Sequence, residues 1–223
     1  MEEMIDNTIS ETGADEFSIF LSGPTNFRNE IYPEYKANRK AEKPRFLKDC
    51  KEHLVKHYNA VTSEGCEADD LLGIAQDKYG EDHWTGARKF STIICSIDKD
   101  LRMIPGNHYS FEIGGKIARG PRAGETWVRP AERCIVESFD GLRRFYTQVL
   151  TGDSTDNVKG AAGIGPVKAE RILADCITEQ ELLEAVRDYF SCDEELEMVG
   201  ACLWIFRKPN DRWRIPKFET SEQ

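Results

Sequence analysis

Apolar positions predict strands at two places in the first hundred residues. In EFSIFLSG, the apolar residues Phe17, Ile19 and Leu21 alternate with polar ones, and the segment ends in Ser-Gly-Pro. This pattern is typical of a strand that enters a turn. In STIICSIDKD, a continuous apolar run is typical of a strand buried in a parallel sheet. The second strand leads directly into Asp98 and Asp100.

Helical spacing predicts most of the other elements. The segment RFLKDCKEHLVKHY is predicted to form a surface helix, with a buried stripe made by Phe46, Leu47, Cys50, Leu54 and Tyr58. Further helices are predicted over residues 67–79 and over AERCIVESF, GLRRFYTQVL and ELEMVGACLWIF. The Gly-rich, basic residues 114–124 are expected to form a hairpin or a mobile loop. A helix, a buried strand and an acidic loop in that order favour an open α/β sheet, where ligands bind at the carboxyl ends of strands.

Composition limits the environment and the partners. A chain of 223 residues can bury a substantial core, and its seven cysteines show neither a CxxC pair nor metal-finger spacing. These cysteines are typical of reduced thiols in a cytoplasmic protein. No apolar run has the length of a membrane span, so no membrane partner is expected.

Charge gives a divided picture of the partners. The net charge of −10 argues against nucleic acid, because phosphate contacts need Lys and Arg. Basic residues nevertheless concentrate at 28–56 and 207–217. Either cluster is interpreted as a nucleic-acid contact or as a solvated helix face.

Three segments carry candidate chemistry. EGCEADDLLG places Glu67, Asp69 and Asp70 within four positions, where they serve either as capping acids at a helix start or as ligands of a divalent cation. Asp153 and Asp156 are three apart, so both carboxylates can face one way on a helix or tight turn. The glycines that follow lead into a helix, which is interpreted as a grip on a phosphate or as an ordinary connector.

Taken together, three acidic clusters at strand ends or helix starts favour paired Mg²⁺ ions, which need hard oxygen ligands. FRNEIYPEYKANR, CEADDLLG, SIDKDL and TGDSTDNVKGAAGIGPVKA occur in an order that resembles the 5′ nuclease or flap endonuclease family. This family includes phage 5′ to 3′ exonucleases and the 5′ nuclease domain of bacterial DNA polymerase I. The resemblance extends from Phe17 to Leu173, and the tail CLWIFRKPNDRWRIP is similar to the end of small phage exonucleases.

This resemblance implies a Rossmann-like (PIN-type) α/β fold with an open, mostly parallel sheet, a helical arch near residues 28–58 and a helix-turn-helix DNA clamp. It places the nuclease core at residues 1–138, and the clamp with the C-terminal helices at 139–223. The implied activity is hydrolysis of DNA phosphodiesters at 5′ ends or flaps during replication or repair. The implied cofactors are two Mg²⁺ or Mn²⁺ ions.

Carried over residue by residue, the resemblance implies a role for each motif. The metal ligands would be seven carboxylates, the last two acting partly through water: Glu67, Asp69, Asp70, Asp98, Asp100, Asp153 and Asp156. Lys36 and Arg39 would be catalytic groups at the scissile phosphate and would also bind DNA. Arg28 would contact a further phosphate, and Tyr35 would stack on a base. The duplex backbone would be gripped by Gly160, Gly163, Gly165 and Lys168, and in this family such a turn commonly also binds K⁺.

Two carboxylates of the family pattern are not matched. The family opens with a strand that ends in Asp, but Asp6 has too little chain before it for a central strand, and Asp15 lies in the loop before the next strand. After that next strand, where the family commonly has Asp, this chain has Ser22 or Gly23. Both departures affect the same metal site.

These departures leave two alternatives to a competent nuclease. One is a DNA-binding protein with impaired catalysis. The other is a subunit of a split nuclease, completed by an upstream polypeptide that covers the exposed sheet edge. A cytoplasmic location is expected in each case, in the host cytoplasm if a phage encodes the protein.

Overall fold

The computed structural model describes residues 1–78, 91–118 and 120–218. Its helices are α1 (Glu2–Thr12), α2 (Arg28–Ile31), α3 (Leu47–Tyr58), α4 (Ala68–Lys78), α5 (Ser138–Thr151), α6 (Pro166–Ile172), α7 (Glu179–Arg187) and α8 (Asp193–Leu203), with a 3₁₀ helix at Asp100–Met103. None of the described helices is long and apolar enough to cross a bilayer.

The strands are short and pair in four separate sheets. They are β1 (Phe20–Leu21), β2 (Val61–Thr62), β3 (Ile93–Cys95), β4 (Gly106–Ser110), β5 (Ile113–Lys116), β6 (Thr126–Arg129), β7 (Glu132–Val136), β8 (Gly152–Asp153) and β9 (Val158–Lys159). β1 pairs in parallel with β2, and β3 pairs in parallel with β4. The antiparallel pairs are β4 with β7, β5 with β6, and β8 with β9. The α/β class is confirmed, and β2 and β3, the strands that lead into the first two acidic segments, each pair in parallel with a neighbour.

One element is wrongly predicted. The segment AERCIVESF is predicted to be helical, but it forms β7 and enters α5 only at Ser138. The strand buries alternate side chains, because Cys134 is half-buried and Val136 buried while Arg133 and Ile135 are exposed. Alternation with period two is typical of a strand that covers a core on one face.

The other predicted elements are present with smaller differences. β5 and β6 pair as an antiparallel hairpin where a hairpin or mobile loop is predicted, with residue 119 outside the described ranges. The helix α3 lies where a surface helix is predicted. The stripe of α3 is only half-buried, and Phe46 lies outside it with 60% of its surface exposed. The helix predicted for 67–79 is observed as α4, and its last predicted residue lies outside the described ranges.

α5 is the central helix of the core. Four of its side chains are fully buried: Phe145, Tyr146, Val149 and Leu150. The rings of Trp204 and Trp213 pack against Phe145, with centroids 4.9 and 5.3 Å away. The chain after α8 is therefore part of the core. Buried residues before and after residue 138 belong to one hydrophobic cluster, and the two-part division at that residue stays a prediction.

A buried ion pair joins the N-terminal half of the chain to its C-terminal segment. Asp70 in α4 is fully buried, and Arg28 in α2 is 3% exposed. The Arg28 guanidinium donates two hydrogen bonds to the Asp70 carboxylate, at 2.7 and 2.9 Å. It also donates to the backbone carbonyls of Cys202 and Trp204, at 2.8 and 2.6 Å. This forked geometry fixes the relative positions of α2, α4 and the end of α8.

The ion pair between Arg28 and Asp70 contradicts the roles predicted for both residues. Asp70 also accepts hydrogen bonds from the backbone N–H groups of Glu67 at 2.9 Å and Phe206 at 3.1 Å. Its carboxylate is therefore used by Arg28 and the backbone, and the assignment of Asp70 as a metal ligand is wrong. The assignment of Arg28 as a phosphate contact is also wrong, because its guanidinium is buried and bound within the protein.

Replacement of Arg28 by Met is expected to destabilise the fold by about 3–5 kcal/mol, because Asp70 is left as a buried charge without its partner. Urea denaturation measures this loss directly. The exposed Lys56→Met change in α3 serves as the control and should stay within about 0.5 kcal/mol of wild type. Unchanged stability of Arg28→Met together with weaker DNA binding would contradict the structural role.

Candidate metal centre

Two acidic segments meet near the carboxyl ends of β2 and β3. Glu67 directly precedes α4, and Asp69 lies in its first turn, where the positive end of the helix dipole favours carboxylates. Asp98 and Asp100 follow β3, and the Asp98 carboxylate accepts the Asp100 N–H at 2.9 Å. The charges of Asp98 and Glu67 both act on Asp69. The two segments therefore form one acidic site.

The third acidic segment lies in the turn between β8 and β9. One oxygen of Asp153 accepts the N–H groups of Thr155 at 2.7 Å and Asp156 at 3.3 Å, which closes the turn as Asp side chains commonly do. Its other oxygen accepts a hydrogen bond from the Gln148 amide at 3.3 Å. The negative charge of Asp153 helps to raise the pKa of Asp100. This interaction links the turn to the carboxylates after β3.

Tyr35 and Lys36 complete the cluster on the side of α2. The Tyr35 hydroxyl lies 2.8 Å from a Glu67 oxygen and 2.9 Å from an Asp156 oxygen. The Lys36 ammonium pairs with Glu67 and lies 3.3 Å from Asp156, and Arg39 pairs with Asp156 from the outside. Six carboxylates from three segments are thus brought together: Glu67, Asp69, Asp98, Asp100, Asp153 and Asp156.

Tyr35 has a different role from the one expected. It is 4% exposed, so the expectation that it stacks on a base is wrong. Its hydroxyl has a single proton and can donate to only one carboxylate at a time. Tyr35 therefore positions the carboxylates of Glu67 and Asp156 from the buried side of the cluster. Its ring is not accessible to DNA.

Burial and like charges raise the pKa of two carboxylates. Burial raises the pKa of Asp69 to about 7, with the charges of Asp98 and Glu67 adding to the effect and Lys36 opposing it. Burial also raises the pKa of Asp100 to about 6, with Asp98 and Asp153 adding to the effect. The cluster therefore holds more negative charge than its own cations offset. A bound cation relieves this condition.

A short segment, residues 34–39, is docked on the β8–β9 turn. The Lys36 N–H donates to the Asp156 carbonyl at 2.8 Å, and the Asn157 amide donates to the Glu34 carbonyl at 2.8 Å. Lys36 has a left-handed backbone with φ of +56°, which is uncommon for a residue other than glycine. Strained backbone of this kind is concentrated at functional sites.

The cluster offers only carboxylate oxygens as ligands for the metal ions that the sequence predicts. Within residues 1–78, 91–118 and 120–218, no three His, Cys, Asp or Glu side chains stand at metal-binding spacing. The Lys36 ammonium lies between the carboxylates of Glu67 and Asp156. Positive charge between these two carboxylates is therefore supplied by the protein itself. The chemistry of the set fits Mg²⁺ or Mn²⁺, because all six donors are carboxylates with hard oxygen atoms.

The position after β1, where the family pattern has Asp, is filled differently. The Ser22 hydroxyl accepts the Ala68 N–H at 3.0 Å, so Ser22 caps the start of α4 beside Glu67. A Cβ atom on Gly23 would lie 2.1 Å from the Ser63 carbonyl oxygen. No aspartate fits at that glycine without a backbone shift. Ser22 is therefore the residue of this pair whose side chain reaches the acidic site.

The glycine turn combines packing with an exposed surface. A Cβ atom on Gly160 would lie 2.2 Å from the Gly152 nitrogen, so the close approach of β8 and β9 explains this glycine without a DNA contact. Gly163 has a positive φ of +73° and is exposed, as are Gly165 and Lys168. The role of these three residues in binding a DNA backbone stays a prediction.

Several residues at the site were not predicted from the sequence. Gln148, in the last turns of α5, donates a hydrogen bond to Asp153. The two residues are only five apart in the sequence, and this short spacing is a local signal that could have indicated the contact. Ser22 and Asn157 contact residues far away in the chain. Asn38 likewise donates to the Ser154 carbonyl at 2.8 Å. No local pattern marks these three, because only the fold brings their partners close.

The fold and the site define an α/β protein with a carboxylate-rich centre at strand ends, the place where such sheets bind ligands. Residues 1–113 match the model of the family described as 5′-3′ exonuclease, N-terminal resolvase-like domain. The chain belongs to this family, and the resemblance carried by its motifs is confirmed.

Curated relatives agree with this assignment. DNA polymerase I of Rhizobium leguminosarum is 31% identical over 172 residues, which is 74% of this chain and 15% of that protein. The 5′-3′ exonuclease of Buchnera aphidicola subsp. Baizongia pistaciae is 28% identical over 155 residues, which is 66% of this chain and 45% of that protein. The chain therefore spans less than half the length of these relatives.

Solved structures show the fold. A bacteriophage T5 flap endonuclease, in a pseudo-enzyme-product complex with DNA and metal ions, has a TM-score of 0.60 and 18% identity over 93% of this chain and 79% of that chain. The T5 5′-exonuclease with bound zinc has a TM-score of 0.55 and 17% identity over 90% of this chain and 78% of that chain. The predicted fold class is confirmed by this likeness.

The raised pKa values of Asp69 and Asp100 predict how stability depends on pH without divalent metal. Both groups bind protons more tightly when folded, so their contribution is greatest at low pH and is lost as pH rises through about 6 and about 7. Asp69→Asn is expected to raise stability at pH 8 in EDTA by at least about 1 kcal/mol, or roughly 2–4 °C in Tm. Thermal melts between pH 5 and 8 measure both effects.

The exposed residue Asp15 provides the matched control, because Asp15→Asn removes the same charge outside the cluster. It should leave the pH dependence unchanged. Two results would contradict the crowding of these carboxylates. One is a Tm of Asp69→Asn at pH 8 that is lower than the Tm of wild type. The other is a wild-type Tm that rises between pH 5 and pH 8 by as much as the Tm of Asp69→Asn.

Proposed function

We propose that this protein is a divalent-metal-dependent 5′ nuclease that hydrolyses DNA phosphodiesters at 5′ ends or flaps. The observation that carries the proposal is the convergence of six carboxylates from three distant segments, with Lys36 and Arg39 on the same cluster. Membership of the 5′-3′ exonuclease family supports this reaction. The bound DNA and metal ions of the T5 flap endonuclease structure support the substrate and the need for metal.

The carboxylates divide into two groups that would hold metal ions, with Mg²⁺ or Mn²⁺ the ions proposed. Glu67, Asp69 and Asp98 form one group, and Asp100 stands between Asp98 and Asp153. Asp153 and Asp156 form the other group, in the β8–β9 turn. Divalent ions bound there supply Lewis-acid activation of water and stabilise negative charge on the phosphate.

The protein's own cations act on the phosphate from the outer side of the cluster. Lys36 is partly exposed, with 23% of its side chain accessible, and Arg39 is 52% accessible. Both charges are therefore within reach of a phosphodiester that approaches the carboxylates. Tyr35 and the docked segment 34–39 hold this pair in place. Preorganised positive charge of this kind stabilises the transition state more than the bound substrate.

A second surface would hold the duplex. The exposed Gly163 and Gly165 lead into α6, and Lys168 is exposed within that helix. Free N–H groups at such a turn can bind phosphate oxygens without contact to bases. We also propose a K⁺ ion at this turn, as the sequence resemblance implies, and a cytoplasmic location for the protein.

A specific observation favours a further strand from a partner polypeptide. α4 packs against both β1 and β3, but in the described residues no pairing joins the β1–β2 sheet to the β3–β4–β7 sheet. Within the part of the chain that the structure describes, each of the two sheets therefore has an unpaired edge, and unpaired edges favour the addition of a strand. We propose that an upstream polypeptide supplies this strand and, with it, a further aspartate.

Cleavage of a 5′-labelled flap or nicked duplex in Mg²⁺ or Mn²⁺ tests the nuclease proposal. Asp98→Ala should lower kcat by at least about 100-fold, since changes to residues behind the metal ligands already cost 10–100-fold. DNA affinity in EDTA should stay unchanged. The control is Asp188→Ala at the exposed end of α7, which should cleave like wild type. Absence of cleavage by folded wild-type protein, with DNA binding intact, would favour a binding protein with impaired catalysis.

The partner-strand proposal has its own measurement. Addition of a short polypeptide that contains an apolar strand ending in Asp should raise the cleavage rate, because the new aspartate completes the acidic cluster. The same polypeptide with Asn in place of that Asp should bind and stabilise the protein without raising the rate. No binding of either polypeptide, as judged by an unchanged Tm, would argue against the unpaired edges as a docking place.

A further inference from the structure

The β5–β6 hairpin lies at the same edge of the structure as the acidic cluster. β3 and β4 run in parallel, so the chain leaves both strands on one side, towards Asp98 after β3 and towards the hairpin after β4. The Arg129 guanidinium in β6 donates to the Ile97 carbonyl at 3.2 Å. This contact fixes the hairpin next to the loop that carries Asp98.

Trp127 is the prominent side chain of this hairpin. It is 41% exposed, whereas Trp204 and Trp213 are buried. Trp127 pairs directly with Gly115 across the hairpin, and a Cβ atom on Gly115 would lie 3.4 Å from the indole nitrogen. The indole therefore packs on the glycine position, and 41% of the Trp127 surface stays exposed.

The direction of Trp127 follows from strand alternation. Side chains two residues apart on a strand share a face, so Trp127 and Arg129 point to the same side of the hairpin. Arg129 reaches the Ile97 carbonyl in the loop before Asp98, so Trp127 lies on the side of the hairpin that contacts this loop. Trp127 lies about 7 Å further along the strand, towards the hairpin tip. Val128 points to the opposite side and is 59% exposed.

The charge of the hairpin matches a nucleic acid. Residues 113–129 contain four Lys and Arg and one Glu, in a chain whose net charge is −10. A basic segment of this kind attracts phosphates, and an exposed indole face binds an unpaired base by stacking. A protein partner for this exposed face would be the other class of occupant, but the positive charge and the position beside the acidic cluster favour DNA.

We propose that the open face of Trp127 stacks on an unpaired base of the DNA strand whose phosphate lies at the acidic cluster, with Arg129 holding the hairpin in place. The inference rests on the proposed nuclease function and adds to it a contact for single-stranded 5′ DNA. A base inside a duplex already stacks on its neighbours, so Trp127 discriminates in favour of an unpaired 5′ arm over a blunt end.

Fluorescence anisotropy in EDTA measures this contact without cleavage. The probes are a labelled duplex with a 5′ single-stranded arm and the same duplex without the arm. Trp127→Ala should weaken binding of the armed duplex by roughly 5- to 100-fold, the loss expected for one stacked base, and leave the blunt duplex within about twofold. Trp127→Phe should retain most of the affinity, because it keeps an aromatic face, and it also tests whether the hairpin stays folded. Val128→Ala on the opposite side should bind both probes like wild type.

Three results would overturn the inference. These are equal losses on both probes, no loss for Trp127→Ala, and conversion of an oligomer to a monomer by Trp127→Ala with DNA binding unchanged. The third result would identify a protein contact.

The inference and the proposed function fail separately. Cleavage that does not depend on Trp127 overturns the stacking contact alone, whereas Trp127-dependent binding without any cleavage in Mn²⁺ overturns the nuclease proposal alone.

Discussion

The forked ion pair between Arg28 and Asp70 is the contact on which the arrangement of the site depends. Both groups are buried, and either charge without its partner would cost several kcal/mol, so α2, α4 and the end of α8 are held as one unit. Asp70 fixes the start of α4 and therefore the positions of Glu67 and Asp69. Arg28 fixes the segment that continues to Tyr35 and Lys36. The chain after α8 closes this unit, because its carbonyl groups accept the remaining Arg28 hydrogen bonds.

On this frame the protein assembles a crowded group of negative charges. Burial and neighbouring carboxylates raise the pKa of Asp69 to about 7, which means that ionisation is disfavoured where the cluster is most crowded. Lys36 and Arg39 offset part of the charge, and the left-handed backbone at Lys36 adds strain. Stability is commonly reduced at functional sites in this way. Under the proposed function, the same excess of negative charge would attract a divalent cation.

Around the cluster lie three surfaces of different character. The docked segment 34–39 brings two cations to its rim, and the glycine turn before α6 exposes backbone N–H groups and Lys168. The β5–β6 hairpin adds an indole face. A phosphate at the cluster, a duplex backbone at the turn and an unpaired base at the hairpin would be different parts of one DNA substrate. Basic groups are concentrated at these surfaces although the net charge of the chain is −10, which is the condition that binding of DNA would need.

The sequence by itself determined the family, the α/β class and six of the residues in the acidic cluster. These depend on local spacing: acids at strand ends, acids three apart in a turn, and glycines before a helix. Its errors have one origin. Arg28 and Asp70 look like the basic and acidic residues beside them, Tyr35 looks like an available aromatic, and β7 has enough apolar residues for a helix. Only the tertiary structure decided which of these groups face solvent, because burial depends on segments far away in the chain, such as the carbonyls of Cys202 and Trp204 that meet Arg28. The contacts of Ser22 and Asn157 were decided in the same way, since hydrogen bonds between distant residues leave no pattern in the sequence.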